Sequence, residues 1–132
     1  MAVLVDSSVW IQASRPKSFE STHLREMILN GEHIVITSLI RLEVAQGCRS
    51  LEECAQVWDY LGAFEIFDLQ EKQLFSATLS FQKLKKAGVN LGTIDNLILN
   101  TAIEHNLKLW TLDRVLQKAC LARNVSNYSP KH

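Results

Sequence analysis

The stretch VLVDSSVW, residues 3–10, decides how the rest of the chain is read. Val3, Leu4 and Val5 are apolar and β-forming, and they run without a break into Asp6, then Ser7 and Ser8, then Val9 and Trp10. A short continuous apolar run of this kind fits a strand buried on both faces. Its ending on a carboxylate has two readings. Either Asp6 or Ser7 caps a helix that starts there, or Asp6 belongs to a site. The choice depends on whether other acids stand in equivalent places.

Working outward, strand-like runs recur at residues 34–37, 64–67, 108–111 and 125–128, with helical stretches between them. Ser50-Leu-Glu-Glu53 and Asp68-Leu-Gln-Glu71 have the form of capping boxes opening helices. The second of these helices is expected to run to about Ala87 and stop at Gly88. Another is expected from Thr93 to His105, with Asn106 as a left-handed stop. Short strands alternating with helices imply crossover connections and a parallel sheet covered on both faces, an α/β architecture. The 132 residues, 47 % of them hydrophobic, suit one domain, residues 1–132, with a core of its own.

The bulk properties narrow the class further. There is no 18-residue apolar run and no signal-peptide pattern, so a cytoplasmic protein with no membrane contact is expected. Cys48, Cys54 and Cys120 form no CxxC pair and read as reduced, mostly buried thiols. His23, His33, His105 and His132 show no metal-ligand spacing. Net charge is zero, but residues 1–82 carry 6 basic and 11 acidic side chains while residues 83–132 carry 8 and 3. That asymmetry is compatible with a polyanionic partner, and equally with a solvated helix face at Lys83–Lys86.

Three further acids repeat the anomaly of Asp6. In the helix expected after residues 34–37, with Ser38 as N-cap, Glu43 falls inside the apolar arc of Leu39, Ile40, Leu42 and Val44, about 40° from Leu39 at 100° per residue. In the helix 93–105 the polar strip is Asn96, Asn100 and Glu104, yet Asp95 lines up with Leu99 and Ala102 on the core side. Asp113 follows the run 108–111 and flanks an apolar stripe of Leu112, Val115, Leu116, Ala119 and Cys120. Singly, Asp6 and Asp113 also read as helix caps, and Asp95 as an answer to a helix dipole. Glu43 resists such a reading, because buried glutamates are rare unless paired.

The topology sends all four to one edge of one sheet, where α/β proteins bind ligands. Two carboxylates about 5 Å apart repel by about 3 kcal/mol at an effective dielectric near 20. With no lysine or arginine expected among them, a divalent cation is the natural partner. All-oxygen ligation selects Mg²⁺, with Mn²⁺ as substitute. That donor set describes phosphoryl transfer or phosphodiester hydrolysis.

The segments VLVDSSVWI (3–11), ITSLIRLEVAQG (36–47) and IDNLILNTAIEHNLKLWTLD (94–113), in this order and spacing, resemble the PIN-domain ribonucleases, most of all the VapC toxins of bacterial toxin–antitoxin pairs. The resemblance spans nearly the whole chain. It implies a three-layer α/β/α sandwich around a five-stranded parallel sheet of order 3-2-1-4-5. It implies a Mg²⁺- or Mn²⁺-dependent endoribonuclease acting on structured RNA such as tRNA or rRNA loops, inhibited by a cognate antitoxin and assembled as a homodimer. It assigns Asp6, Asp95 and Asp113 as metal ligands and Glu43 as the residue completing the cage or orienting the attacking water, with Ser8 and Thr111 as supporting hydroxyls. Relatives often carry another acid soon after the last aspartate, where this chain has Arg114, Val115 and Leu116.

Two rival enzyme classes fit poorly. A haloacid-dehalogenase-type phosphatase requires DxD, and here the residues are Asp6-Ser7-Ser8. A response-regulator receiver requires adjacent acids near its first strand and a lysine after its last. The rival of another kind is a PIN-like protein that binds RNA or a partner without cutting; such relatives usually lack one or more of the four acids. Val57, Trp58, Leu61 and Phe64 read as a core stripe or as a groove for an antitoxin helix.

Overall fold

The computed structural model describes residues 1–131, so His132 lies outside it. Four strands form one sheet: β1 (Val3–Val5), β2 (Ile34–Thr37), β3 (Glu65–Phe67) and β4 (Lys108–Trp110). Seven helices connect and cover them: α1 (Ser7–Ala13), α2 (Phe19–Leu29), α3 (Ser38–Gln46), α4 (Leu51–Leu61), α5 (Glu71–Lys86), α6 (Thr93–Glu104) and α7 (Arg114–Ala122). The sheet is wholly parallel with order β3-β2-β1-β4, and Val3 pairs with Ile34 on one side and Lys108 on the other.

The expected fifth strand is reduced to a single parallel bridge between Leu109 and Asn127. The Leu109 N–H donates to Ser126 O at 2.9 Å, and the Tyr128 N–H donates to Leu109 O at 2.8 Å. The segment therefore occupies the fifth place in the order without extending far enough to be a strand. His23 of α2 holds it from the side, with Nε2 2.7 Å from the Tyr128 hydroxyl.

Every residue of β1 and β2 is buried, as expected of central parallel strands covered on both faces. The core continues through Val9, Met27, Ile40, Leu61, Leu84, Ile98, Leu99 and Leu116, each fully buried or nearly so. Leu61 thus joins the core. Trp58 remains 42 % exposed, with the Arg41 guanidinium carbon 3.8 Å from its ring centroid. Of the stripe expected along α7, Leu116, Ala119 and Cys120 are buried, whereas Leu112 and Val115 point to water. Leu42, placed in the apolar arc by helical phase, is exposed as well. Cys48, Cys54 and Cys120 are free; burial first, and the negative charge of Asp6 second, push the Cys120 thiol up to about 12, so it stays protonated and inert.

Helix boundaries follow local chemistry, with two corrections. Thr37 rather than Ser38 is the N-cap of α3, its hydroxyl accepting the Ile40 N–H at 3.0 Å. Gln70 rather than Asp68 opens α5, and the Gln73 side chain accepts the Gln70 N–H at 3.0 Å. Ser50 caps α4 as expected, accepting from the Glu53 N–H. Gly88 stops α5 at φ +77, and Asn106 follows α6 at φ 52, both in the left-handed region.

The strip Asn96, Asn100 and Glu104 lines the seam with α5. Asn96 Nδ2 donates to Ala77 O at 2.9 Å, and Asn100 Nδ2 donates to Gln73 O at 3.0 Å. The Ser76 hydroxyl lies 2.5 Å from a Glu104 carboxylate oxygen. As the α6 number rises by four, the α5 number falls by four, so the two helices run antiparallel. No helix among the described residues is long and apolar enough to cross a membrane.

Candidate active site

Asp6 takes the N-cap position of α1 but forms no side-chain cap bond. Its backbone N–H donates to Trp110 O at 2.9 Å, which pins the end of β1 to the end of β4. Its side chain is 3 % exposed and receives two hydroxyl protons on one oxygen: Thr111 Oγ1 is 2.7 Å and Ser8 Oγ is 2.8 Å from Oδ2. A carboxylate only accepts, so both hydroxyls spend their single proton there, and their mutual 3.3 Å separation is mere proximity. Those hydroxyls accept in turn: Leu112 N–H donates to Ser8 Oγ at 3.0 Å, and Asp113 N–H donates to Thr111 Oγ1 at 3.1 Å. Gln117 clips the same turn by donating from Nε2 to Thr111 O at 2.9 Å. The turn after β4 is thereby fastened to Asp6, and Asp6 keeps Oδ1 for something else.

Ser7 is the residue that the sequence reading missed. Its hydroxyl lies 3.1 Å from Glu43 Oε1 and 3.5 Å from Asp6 Oδ1, so its single proton goes to Glu43 while its oxygen stands beside Asp6. Nothing in the sequence marks it, since a serine at the first position of a helix looks like an ordinary start residue. Glu43 is half-buried in the second turn of α3. Burial raises its pKa above the usual glutamate value, the Ser7 bond partly offsets this, and the negative charge of Asp6 adds to the rise.

Asp95 sits in the first turn of α6, after Gly92, which has no side chain to cap the helix. No hydrogen bond or cation engages its carboxylate among the described residues. Burial first, then the charges of Asp6, Asp113 and Glu43, push it up to about 6. The same interactions place Asp6, Asp113 and Glu43 within electrostatic reach of Asp95. Asp113 satisfies both readings at once: Oδ1 accepts the Leu116 N–H at 3.0 Å and caps α7, while its charge is felt at Asp95.

The only ion pair among the described residues, His33 with Glu65 at 2.7 Å, lies at the far end of β2 and β3. No lysine or arginine neutralises the four acids. A divalent cation fits that donor set: hard carboxylate oxygens, supporting hydroxyls, and an aspartate that burial and its acidic neighbours push up to about 6. Among the described residues no three acidic, histidine or cysteine groups already converge as a finished ion cage.

Comparison with known proteins identifies the fold and the family. Among curated proteins none matches the chain. Solved structures with the same fold include VapBC2 from Rickettsia felis bound to a promoter DNA fragment, 21 % identical over 98 % of this chain and 100 % of that one, with a TM-score of 0.78. DNA-bound VapBC from Salmonella typhimurium is 20 % identical over 97 % of both chains, with a TM-score of 0.79. A toxin–antitoxin complex from Klebsiella pneumoniae is 21 % identical over 84 % of this chain and 86 % of that one, with a TM-score of 0.69. The PIN domain family matches residues 3–121, which hold all four acids and the whole four-stranded sheet. The chain belongs to the PIN domain family.

Proposed function

We propose that this protein is a divalent-metal-dependent endoribonuclease of the VapC kind, a toxin restrained by a cognate antitoxin. The observation that carries the reading is the uncompensated cluster of Asp6, Glu43, Asp95 and Asp113 at the carboxyl edge of the sheet, with Asp95 pushed up to about 6. Asp6 through Oδ1, Asp95, and Asp113 through the oxygen not used for capping would hold Mg²⁺, or Mn²⁺ in its place. Such an ion would supply activation of a water and charge compensation at the departing oxygen. Glu43, steadied by Ser7 and biased toward taking a proton, orients the water that attacks the phosphodiester in line. Ser8 and Thr111 keep the Asp6 carboxylate in one orientation. Cleavage on this scheme leaves 5′-phosphate and 3′-hydroxyl ends.

An apolar groove of about 400 Å³ between α1, α2 and α4, lined by Trp10, Leu24, Ile28, Val57 and Tyr60 among others, supports the antitoxin part of the reading. Its form suits the apolar face of a helix. Val57 thus serves the groove, where Leu61 serves mainly the core. Phe75 at 68 % and Leu79 at 55 % exposure, one turn apart on α5, support self-association as a homodimer.

The test is incubation of purified protein with total RNA in Mg²⁺, Mn²⁺ or EDTA, beside Asp95→Asn, with the new ends sequenced. Discrete cuts that need metal and disappear in Asp95→Asn are expected. Intact RNA across a broad panel, from protein that demonstrably binds metal, would replace this reading with a non-cleaving RNA- or partner-binding role.

A further inference from the structure

The basic half of the chain has a definite place in the fold. The antiparallel seam sets Asn96 against Ala77 and Asn100 against Gln73, so the carboxyl end of α5 projects past the amino end of α6 that carries Asp95. At 1.5 Å per residue, Lys83 and Lys86 stand roughly 9 to 14 Å along α5 beyond the level of Asn96. Leu84 is completely buried between them and anchors this end, while Lys83, Lys85 and Lys86 are exposed. None of the three makes an ion pair among the described residues. On the other flank, Arg114 directly follows Asp113 and is also exposed and unpaired.

A local explanation covers only part of this. Lysines at a helix carboxyl end answer the helix dipole. Arg114 does not: it occupies the first position of α7, where the dipole disfavours a cation. Cations that border an acidic site without neutralising it repel a bound metal little at such range, since charges about a Debye length apart are largely screened in water. They attract a polyanion laid across the site, and the carboxyl end of α5 lies toward the same end of α6 that carries Asp95.

Resting on the RNA-cleaving reading above, we propose that Lys83, Lys85 and Lys86, with Arg114, form a phosphate-tracking border that holds the RNA backbone beside the acidic site. The ligand class is the single-stranded polyphosphate backbone, gripped without base selection; the border sets affinity and register, and chemistry stays with the acids.

The test uses a labelled 20-nucleotide mixed-sequence RNA in EDTA, so that binding is read without cutting. Parent, K83Q/K85Q/K86Q, R114Q and K72Q are compared from 50 to 300 mM salt; Lys72 lies at the opposite end of the same helix. The triple variant should bind about tenfold more weakly, with the slope of log affinity against log salt shallower by about 2, and R114Q by about 0.7. K72Q should match the parent. The Mg²⁺-induced rise in melting temperature should persist in all four proteins, which shows the acidic site intact. Unchanged affinity and slope in the triple variant, with or without a lower melting temperature, would overturn the border while leaving the nuclease reading standing. Equal losses in K72Q would overturn it too, by making the effect one of net charge. A triple variant that keeps RNA but loses an acidic protein partner would reassign the surface. A parent that neither binds nor cuts any RNA would remove the reading beneath.

Discussion

At the scale of single residues, the strongest consequence concerns Asp95. An unfolded aspartate loses its proton near 3.8, whereas in the fold Asp95 holds it to about 6. Between those values the folded chain binds more protons than the unfolded one. Metal-free stability is therefore fullest below about pH 4 and falls as pH rises to about 6, levelling off above. The carboxylate is half-exposed, so solvent screening reduces the effect to about 1 kcal/mol. Asp95→Asn should flatten that slope and leave the metal-free protein about 1 kcal/mol more stable at pH 7, as read by urea denaturation at several pH values. Thr111→Val makes the opposite case. It removes a donor from the Asp6 carboxylate and the acceptor of the Asp113 N–H, both in a buried turn. It should cost about 2 kcal/mol in the same assay, with Thr111→Ser restoring most of it.

At the scale of elements, α7 and α3 show how one residue serves structure and site together. Asp113 spends Oδ1 on the Leu116 N–H and its charge on the acidic edge. The two roles separate by substitution. Asp113→Asn keeps the cap and should change stability by less than about 0.5 kcal/mol, whereas Asp113→Ala should lose about 1 kcal/mol. Both should lower metal affinity alike, a result calorimetry and thermal melts would read together. The Glu43 anomaly was legible because helical phase placed a charge among apolar neighbours. Phase could not say that Leu42 would be exposed, since that depends on how far α4 reaches across α3. Likewise Asn96 and Asn100 read as a polar strip, and only packing shows that α5 lies over them and supplies carbonyl acceptors.

At the scale of the whole molecule, the proposed site of four acids without a counter-ion should make stability depend on metal. At a free Mg²⁺ concentration about 100 times its dissociation constant, the folded state gains about 2.7 kcal/mol, roughly a 10 °C rise in melting temperature for a domain of this size. Asp6→Asn or Asp95→Asn should remove most of that rise, which differential scanning calorimetry would show. The sequence by itself determined the alternation of strands and helices that makes a parallel sheet, and the odd placement of four acids within it, because periodicity and the position of a charge within it are local properties. It also determined the left-handed stops at Gly88 and Asn106, because backbone freedom is local too. Only the tertiary structure decided which Asp6 oxygen is left free, that Ser7 donates to Glu43, that the fifth strand shrinks to one bridge, and that Asp95 is pushed up to about 6. Those outcomes depend on groups far apart in the chain, Ser8 with Thr111 and Ser7 with Glu43, meeting at hydrogen-bond distance and excluding water. Such meetings have no signature in local periodicity, because the energy that defines them arises only when the layers pack.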